Sequence, residues 1–513
     1  MNRRAFLVGS TLAAAATVVR ARPGARAALA DLDFASAGEV ARAIRRGDVS
    51  SVELSTHTVE RIKRYNPRLN AIVTLTEDAA LARARAADEA RARGEWWGPL
   101  HGVPCTIKDT FETAGVKTTA GVSSLAQHVP ARDAAVVERY RGAGAVILGK
   151  TNVPEWASDW QSYNAVFGAA NNPWDLSRTP GGSSGGEAAA LAAGLSYLSA
   201  GSDIGGSIRV PAHFCGVYGH KPTLGVVPLR GHIPPPPGGP PGPPSSLAVA
   251  GPLARSAADL TLALRVLGGP DGDEARAYRW SLLPARGSRL TDYRIGFVLD
   301  DPRCPVSPEV GAVVRQAVDA LKKAGAQLEE GWPPGVVAAD QYDAYLYVLF
   351  ATFGFQLKDE QFESLRARGA STDGGYPSII ARAWTDPIKS HQAAARRRMA
   401  ARAAWQAYFQ THDAFLLPTE FVQAFPHDQS QPQQARRLAT PAGPREYYDL
   451  LFWISFATLT GLPATTAPIG LTGGGLPVGL QIIGPYLEDL TPIDIAGKLA
   501  DVVGGFRPPG GYS

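Results

Sequence analysis

Short buried strands alternate with helical segments through the middle of this chain, and this alternation restricts the possible folds more than any other feature. Strand patterns occupy residues 102–107, 145–148, 197–200 and 294–299, and helical patterns occupy 134–141, 186–193, 259–267 and 308–323. This order is typical of a layered α/β core whose sheet is largely buried. The sequence has no internal repeat of fixed period. We therefore predict an α/β fold.

The flanking segments follow other patterns. Ser36 with Glu39 and Ser50 with Glu53 form two capping boxes, each of which predicts the start of a helix. A third helix is expected over 77–93. Residues 330–450 are less regular and rich in aromatic side chains. The aromatic spacings favour one face of a core helix, and the lining of a substrate pocket is the alternative interpretation.

A proline-rich segment interrupts the second half of the chain. Eight of the eleven residues in 234–244 are proline. Proline lacks a backbone N–H and fits neither a helix interior nor a central strand. We predict a stiff surface loop here, and a ligand for a proline-recognition module is the alternative.

The N-terminal thirty residues account for the net charge. The whole chain of 513 residues has a formal charge of +4, but its first thirty residues contain five arginines and no acidic residue. Arg3-Arg4, a short apolar run and the small-residue exit Ala28-Leu29-Ala30 resemble a twin-arginine signal. We therefore expect export to the periplasm or secretion, with residues 1–30 removed. The remaining chain has 46 basic and 47 acidic residues, or −1, so we expect no nucleic-acid partner. No other segment is long and apolar enough to cross a membrane, so we expect no membrane span after the signal is removed.

The segment from Thr179 to Arg209 carries the strongest chemical signal. Gly205 and Gly206 precede Ser207 and allow a tight turn in which successive N–H groups can point at one spot. A serine in such a turn has an oxyanion hole from its own loop, formed by the N–H groups of Ile204, Gly205, Gly206 and Ser207. The same segment matches the G-x-S-x-G elbow at Ser183, but no clear strand precedes that serine.

Ser207 needs a base, and Lys108 is a candidate because it ends an apolar run. Burial disfavours the ammonium form, and a neutral amine can accept a proton from a serine hydroxyl. Ser183 can relay that proton between Lys108 and Ser207. Lys150 and Lys221 also follow apolar or glycine-bearing stretches. Spacing alone leaves both open as alternative bases.

These motifs together resemble the amidase signature enzymes. The resemblance rests on GGSSGG at 181–186, DIGGSIR at 203–209 and GVPCTIKD at 102–109, with further landmarks such as LGKTN at 148–152, FCGVYGHKPT at 214–223 and LPVGLQ at 476–481. It implies a large mixed β-sheet core covered by helices on both faces. It also implies a single domain over 31–513, with a core at about 98–330 and 450–490 and a variable pocket segment at about 330–450.

The resemblance assigns roles to individual residues. It makes Ser207 the nucleophile, Ser183 the bridging serine after a cis Gly182–Ser183 peptide bond, and Lys108 the base; this context favours Lys108 over the other two lysines. Ser184, Asp203 and Arg209 would support the loop. Three nearby carboxylates, Glu187, Asp109 and Asp133, are expected to be surface or capping groups.

The implied reaction is hydrolysis of a carboxamide C–N bond in a small molecule, without metal or other cofactor, in a protein that could be a homodimer. No motif for a metal or nucleotide occurs. The amidase subunit of a tRNA-dependent amidotransferase shares the motifs and is an alternative, although it typically has threonine where Ile204 stands. An esterase or carbamate hydrolase on the same site and a non-catalytic binding protein are further alternatives.

Overall fold

The computed structural model describes residues 29–238, 245–353, 359–370 and 375–512. Nearly all of the predicted signal, and residues 239–244 of the proline-rich segment, lie outside the described residues. In chain order the α-helices α1 to α15 span Ala37–Arg46, Ser51–Leu69, Glu77–Ala92, Ala135–Gly142, Gly185–Ala192, Arg209–Cys215, Ala257–Leu267, Glu274–Ala277, Pro308–Lys323, Ala338–Phe353, Asp359–Gly369, Tyr376–Thr385, Ile388–Tyr408, Phe452–Thr460 and Leu490–Val503. No helix among these residues is long and apolar enough to cross a bilayer.

The strands β1 to β15 span Ile72–Leu75, Pro104–Lys108, Val146–Thr151, Tyr163–Asn164, Gly168–Ala169, Leu198–Asp203, Tyr218–Lys221, Val249–Ala254, Arg294–Phe297, Gln327–Glu330, Ala414–Pro418, Arg437–Thr440, Gly443–Glu446, Ala464–Leu471 and Pro477–Ile483. Within the described chain, eleven of them form one sheet in the order β1-β3-β2-β6-β8-β7-β14-β15-β11-β9-β10. Strands β3, β2 and β6 run parallel, as do β11, β9 and β10, and the other neighbours pair antiparallel. The sheet is therefore mixed.

Helices cover both faces of this sheet. In β3, Ile147 packs into one hydrophobic cluster while Val146 and Leu148 pack into another, because successive side chains of a strand point to opposite faces. In β11, Leu416 joins the first cluster, and its two neighbours join a third one on the opposite face. The first cluster includes buried side chains of α1, α4, α7, α9 and α15, whereas α5 and α14 supply the opposite clusters. The α/β architecture with a helix-covered mixed sheet is confirmed.

Most predicted elements occur within a few residues of their expected bounds. Both capping boxes form: Ser36 and Ser50 accept the N–H groups of Glu39 and Glu53, whose carboxylates accept the N–H groups of those serines. Part of 330–450 is more regular than expected, because α10 to α13 make residues 338–408 mainly helical. Tyr342, Tyr345 and Phe350 lie on the buried side of α10, as the core-helix interpretation predicts.

Candidate active site

Two parallel neighbours in the sheet bring the predicted site residues to one edge. Lys108 is the last residue of β2, and Asp203 is the last residue of β6. The pairing of Ile107 with Ala200 places Lys108 beside the end of β6. Carboxyl ends of parallel strands meet at the same sheet edge, which is where α/β proteins commonly form their sites. The chain then turns from β6 into the loop that contains Ser207.

The side chain of Lys108 ends among serine hydroxyls. Its Nζ lies 2.8 Å from Ser183 Oγ, 2.8 Å from Ser184 Oγ and 3.1 Å from Ser202 Oγ. Lys108 is completely buried, and burial lowers its pKa to about 8, although the negative charges of Glu187 and Asp203 act in the opposite direction. A large fraction of this amine is therefore neutral in mildly alkaline solution.

Ser183 and Ser184 follow a glycine pair that has no space for side chains. The Gly182–Ser183 peptide bond is cis, as the resemblance implies. A Cβ on Gly182 would lie 2.5 Å from the carbonyl oxygen of Asp159, and one on Gly181, at φ +89°, would lie 2.7 Å from Pro211 Cα. The N–H of Ser184 donates to the carbonyl of Ser207 at 3.1 Å. This bond holds the glycine-rich loop against the Ser207 loop.

The Ser207 loop leaves three of the four predicted oxyanion donors available. Among the described residues, the N–H groups of Ile204, Gly205 and Ser207 have no acceptor. The N–H of Gly206 instead donates to Asp203 Oδ1 at 3.0 Å. The expectation that Gly206 contributes a free donor is therefore wrong, because the Asp203 side chain folds back over its own loop.

Two aromatic residues that sequence reasoning did not assign to the site orient this loop. Tyr345 donates its hydroxyl to the carbonyl of Ile204 at 2.8 Å, and Trp160 donates its indole N–H to the carbonyl of Gly205 at 2.7 Å. In a trans peptide the C=O and the following N–H point in opposite directions. The Tyr345 bond therefore turns the Gly205 N–H away from α10. The aromatic richness of 330–450 was the only sequence signal for Tyr345.

Asp203 and Arg209 flank the Ser207 loop in the sequence and pair with each other. Asp203 also accepts the N–H of Ile208 at 3.1 Å, and Arg209 donates to its two carboxylate oxygens at 2.8 and 3.0 Å. Arg209 is fully buried and donates further to the carbonyl of Ile454 and to Gln481 Oε1. Burial would raise the pKa of Asp203, but Arg209 and these hydrogen bonds outweigh it and hold that pKa below its ordinary value.

The alternative lysines lie in other surroundings. Lys150 donates to the carbonyl of Phe111 and to Thr118 Oγ1, and its Nζ lies 3.5 Å from Asp109 Oδ1. Lys221 donates to the carbonyl of Pro222 at 3.0 Å. Burial lowers the pKa of Lys150 to about 8 and that of Lys221 to about 7. A lowered pKa is therefore shared by all three lysines, and only the position of Lys108 places an amine beside Ser183.

One of the three nearby carboxylates differs from its expected setting. Glu187 is completely buried instead of lying at the surface. Asp109 is buried too, but it caps a loop by accepting the N–H of Thr119 at 3.0 Å. Burial raises the pKa of Glu187 to about 7, since the opposing effect of Lys108 is smaller. Asp133 does act as a cap, because it accepts the N–H of Ala114 at 2.7 Å. The sequence around Glu187 consists mainly of small residues. It gives no sign that helix α5 is buried on all sides.

Comparisons with known proteins identify the family of this chain. The Amidase family model matches residues 53–491. The chain is 36% identical over 486 residues to a glutamyl-tRNA(Gln) amidotransferase subunit of Moorella thermoacetica, a match that covers 89% of this chain and 94% of that protein. The native peptide amidase of Stenotrophomonas maltophilia superposes with a TM-score of 0.69 at 30% identity, over 93% of this chain and 99% of the other.

A bacterial aryl acylamidase of the amidase signature family superposes with a TM-score of 0.74 at 25% identity, over 91% of this chain and 96% of the other. The family match covers well over half of the chain and includes every predicted site residue. This chain belongs to the amidase family, the amidase signature enzymes.

Proposed function

We propose that this enzyme hydrolyses the C–N bond of a small-molecule carboxamide through an acyl-enzyme on Ser207, with Ser183 and Lys108 as the proton relay. One observation carries the proposal: a buried amine of lowered pKa lies 2.8 Å from the Ser183 hydroxyl, beside a serine loop with unused N–H groups. The Ser207 hydroxyl itself has no hydrogen-bond partner among the described residues, so it is free to face a substrate.

Acylation begins with proton transfer toward Lys108. The Ser207 oxygen attacks the amide carbonyl while its proton passes to Ser183, whose own proton passes to the neutral amine of Lys108. The carbonyl oxygen becomes an oxyanion and accepts hydrogen bonds from the N–H groups of Ile204, Gly205 and Ser207. Each such donor typically stabilises the transition state by about 3–4 kcal/mol.

The second half of the cycle reverses the relay. Lys108 returns its proton through Ser183 to the leaving nitrogen, the C–N bond breaks, and ammonia or an amine departs. Water then gives a proton to the same relay and attacks the ester at Ser207. Collapse of the second tetrahedral intermediate releases the carboxylate and restores the Ser207 hydroxyl.

The surroundings of Gly205 favour a substrate with an apolar group near the reacting carbonyl. A Cβ placed on Gly205 would meet Leu451 Cδ2 at 3.4 Å and Trp160 Cζ2 at 3.9 Å. The ring of the neighbouring Tyr448 packs edge-on against the ring of Trp160, with 5.7 Å between the ring centroids. These apolar walls support aryl or alkyl amides over highly charged ones.

A second candidate is the amidase subunit of an amidotransferase, because relatives at 36% identity carry that function in their names. It would act on an amide donor and pass the ammonia to a tRNA-bound acceptor, in a complex with other subunits. Ile204 in place of threonine in the serine loop weighs against this candidate.

The test is release of ammonia or amine from a panel of aryl, alkyl and peptide C-terminal amides, with esters and carbamates as comparison. We expect amide hydrolysis whose kcat/KM rises about tenfold per pH unit below the Lys108 pKa and levels off above it. The pKa of about 8 places this bend in mildly alkaline solution. A flat profile from about pH 6 to 10 with chemistry rate-limiting would contradict Lys108 as the base. Turnover of esters or carbamates alone would favour those activities, and glutaminase activity only with added tRNA and partner subunits would favour the second candidate.

We also propose export, on the basis of Arg3-Arg4 and the following apolar run. Fusion of residues 1–40 to a reporter that is active only outside the cytoplasm is expected to give signal in a host with a twin-arginine pathway. The Arg3→Lys/Arg4→Lys variant should abolish it, whereas Arg20→Lys/Arg22→Lys, outside the motif, should not. Reporter signal that is unchanged by the first variant would contradict a twin-arginine route.

A further inference from the structure

His232 lies next to the group formed by Lys108 and the hydroxyls of Ser183, Ser184 and Ser202. It has no role in the mechanism above. Its Nε2 lies 2.8 Å from Ser202 Oγ, which in turn lies 3.1 Å from Lys108 Nζ. Two backbone bonds pin this segment to the chain that follows β2: Ile233 N–H to the carbonyl of Thr110 at 2.7 Å, and Glu112 N–H to the carbonyl of Gly231 at 2.9 Å. The imidazole also packs edge-on against Phe111 at 5.0 Å. These contacts hold the His232 ring in place beside Ser202.

The other ring nitrogen fixes the tautomer of His232. Nδ1 lies 3.1 Å from the carbonyl oxygen of Pro234, which can only accept a hydrogen bond, so Nδ1 carries the proton. Burial and the nearby positive charge of Lys108 lower the pKa of His232 below its ordinary value of about 6.5, so the ring is neutral in alkaline solution. Nε2 of a neutral ring protonated at Nδ1 is an acceptor.

The direction of the next hydrogen bonds follows. Ser202 donates its single hydroxyl proton to His232 Nε2, and its oxygen can then only accept from Lys108. The hydroxyl proton of Ser184 is engaged in a similar way, because it is donated to the carbonyl of Ser202 at 3.4 Å. The Ser184 oxygen can therefore also only accept from Lys108. Two of the three hydroxyls around Lys108 therefore have their protons engaged elsewhere.

A neutral amine has two N–H donors and one lone pair. If the donors of Lys108 serve Ser202 and Ser184, the lone pair is left for the remaining hydroxyl, that of Ser183. This is the orientation that proton transfer from Ser183 requires. We infer that His232 is a positioning residue that, by accepting the Ser202 proton, directs the lone pair of Lys108 toward Ser183. The inference rests on the proposed function, and it adds a residue outside the serine loops to that site.

The test measures how readily Ser207 reacts, without requiring the natural substrate. A fluorophosphonate forms a Ser207 O–P bond and loses fluoride, and the hydroxyl proton leaves by the same relay. His232→Leu is expected to lower the maximal inactivation rate about tenfold, the size of one lost hydrogen bond, with the half-saturating probe concentration unchanged. His232→Gln, whose amide oxygen can take the place of Nε2, should recover most of that rate.

A double-mutant cycle with Ser202→Ala separates positioning from a purely structural role. If His232 acts through Ser202, His232→Leu should cause less than about a twofold further loss once Ser202 is alanine. Losses that multiply, or an unchanged rate in His232→Leu, would overturn the inference. A common fall in all variants that follows their unfolding temperatures would overturn it as well.

The pH profile gives a second readout. The charged and titratable groups around Lys108 are Glu187 on α5, Asp203 at the end of β6 and His232 itself. In His232→Leu the Ser202 hydroxyl becomes free to donate to the amine, which stabilises the neutral form. The acid limb should therefore move to lower pH even as the plateau rate falls, and a shift to higher pH would overturn the inference. Labelling that persists in Ser207→Ala would overturn the proposed function itself, whatever His232 does.

Discussion

Replacing Ser207 with alanine is expected to lower amide hydrolysis by about 10⁴-fold or more and to abolish labelling by a fluorophosphonate. The remaining N–H groups and the relay cannot compensate, because no other hydroxyl lies in that turn. Lys108→Met, which keeps the buried stem but removes the amine, should cause a loss of similar order, since residues that act as one unit do not contribute additively. Mass spectrometry of labelled peptides and single-turnover kinetics measure these effects.

Lys221→Met is the matched control for the lysine. Lys221 is also buried, and its pKa of about 7 makes it mostly neutral in mildly alkaline solution, so the substitution changes little charge. Its activity per folded molecule should stay within a few fold of the unmodified enzyme. Equal losses per folded molecule in both lysine variants would contradict a catalytic role specific to Lys108. A label on Ser183 in the unmodified enzyme would reverse the assigned roles of the two serines.

Removing the guanidinium in Arg209→Met is expected to destabilise the fold by about 3–5 kcal/mol, because it leaves the buried Asp203 carboxylate without its partner. The Ser207 turn should loosen with it, since Asp203 holds the N–H groups of Gly206 and Ile208. Urea unfolding of both proteins, with hydrolysis measured in parallel, tests the expectation. Arg93→Ala, which breaks an exposed ion pair with Glu95, is the control and should leave the unfolding midpoint unchanged.

The pH dependence of this difference has a definite sign. Arg209 holds the pKa of Asp203 below its ordinary value, so the stabilisation is present above the unfolded-state pKa of about 3.9 and is lost as pH falls through the lower folded value. The gap in stability between the unmodified protein and Arg209→Met should therefore narrow in acid. A gap that stays constant as the pH falls from 7 through the folded-state pKa of Asp203 would contradict the charge-based explanation.

Local sequence signals were sufficient for most of the secondary structure. The helix at 308–323 was predicted at its observed bounds, and the two capping boxes form as expected. These features depend on residues three or four positions apart, so the chain determines them locally. The irregularity expected for 330–450 was wrong for residues 338–408, where α11 and α13 have polar sequences whose helicity is not marked by an apolar face.

The sequence by itself determined which chemical groups are present. These are two glycine-rich serine loops, a lysine at the end of an apolar strand, and the charged residues Asp203 and Arg209 on either side of the Ser207 turn. Burial and spacing alone could not decide which of the three lysines lies beside the serines, because burial lowers the pKa of each of them, and only the family resemblance favoured Lys108. The tertiary structure decided this by pairing β2 with β6 in parallel, which places the end of each strand at the same sheet edge.

The tertiary structure also decided which residues surround that edge of the sheet. Tyr345 and Trp160 reach the Ser207 loop from distant parts of the chain, Gly206 is engaged by Asp203, and His232 arrives on a segment pinned to the chain that follows β2. The two aromatic hydrogen bonds join residues 45 and 141 positions apart, and such bonds leave no periodic mark in a sequence. They depend on how helices and loops close over a finished sheet, and only packing determines that.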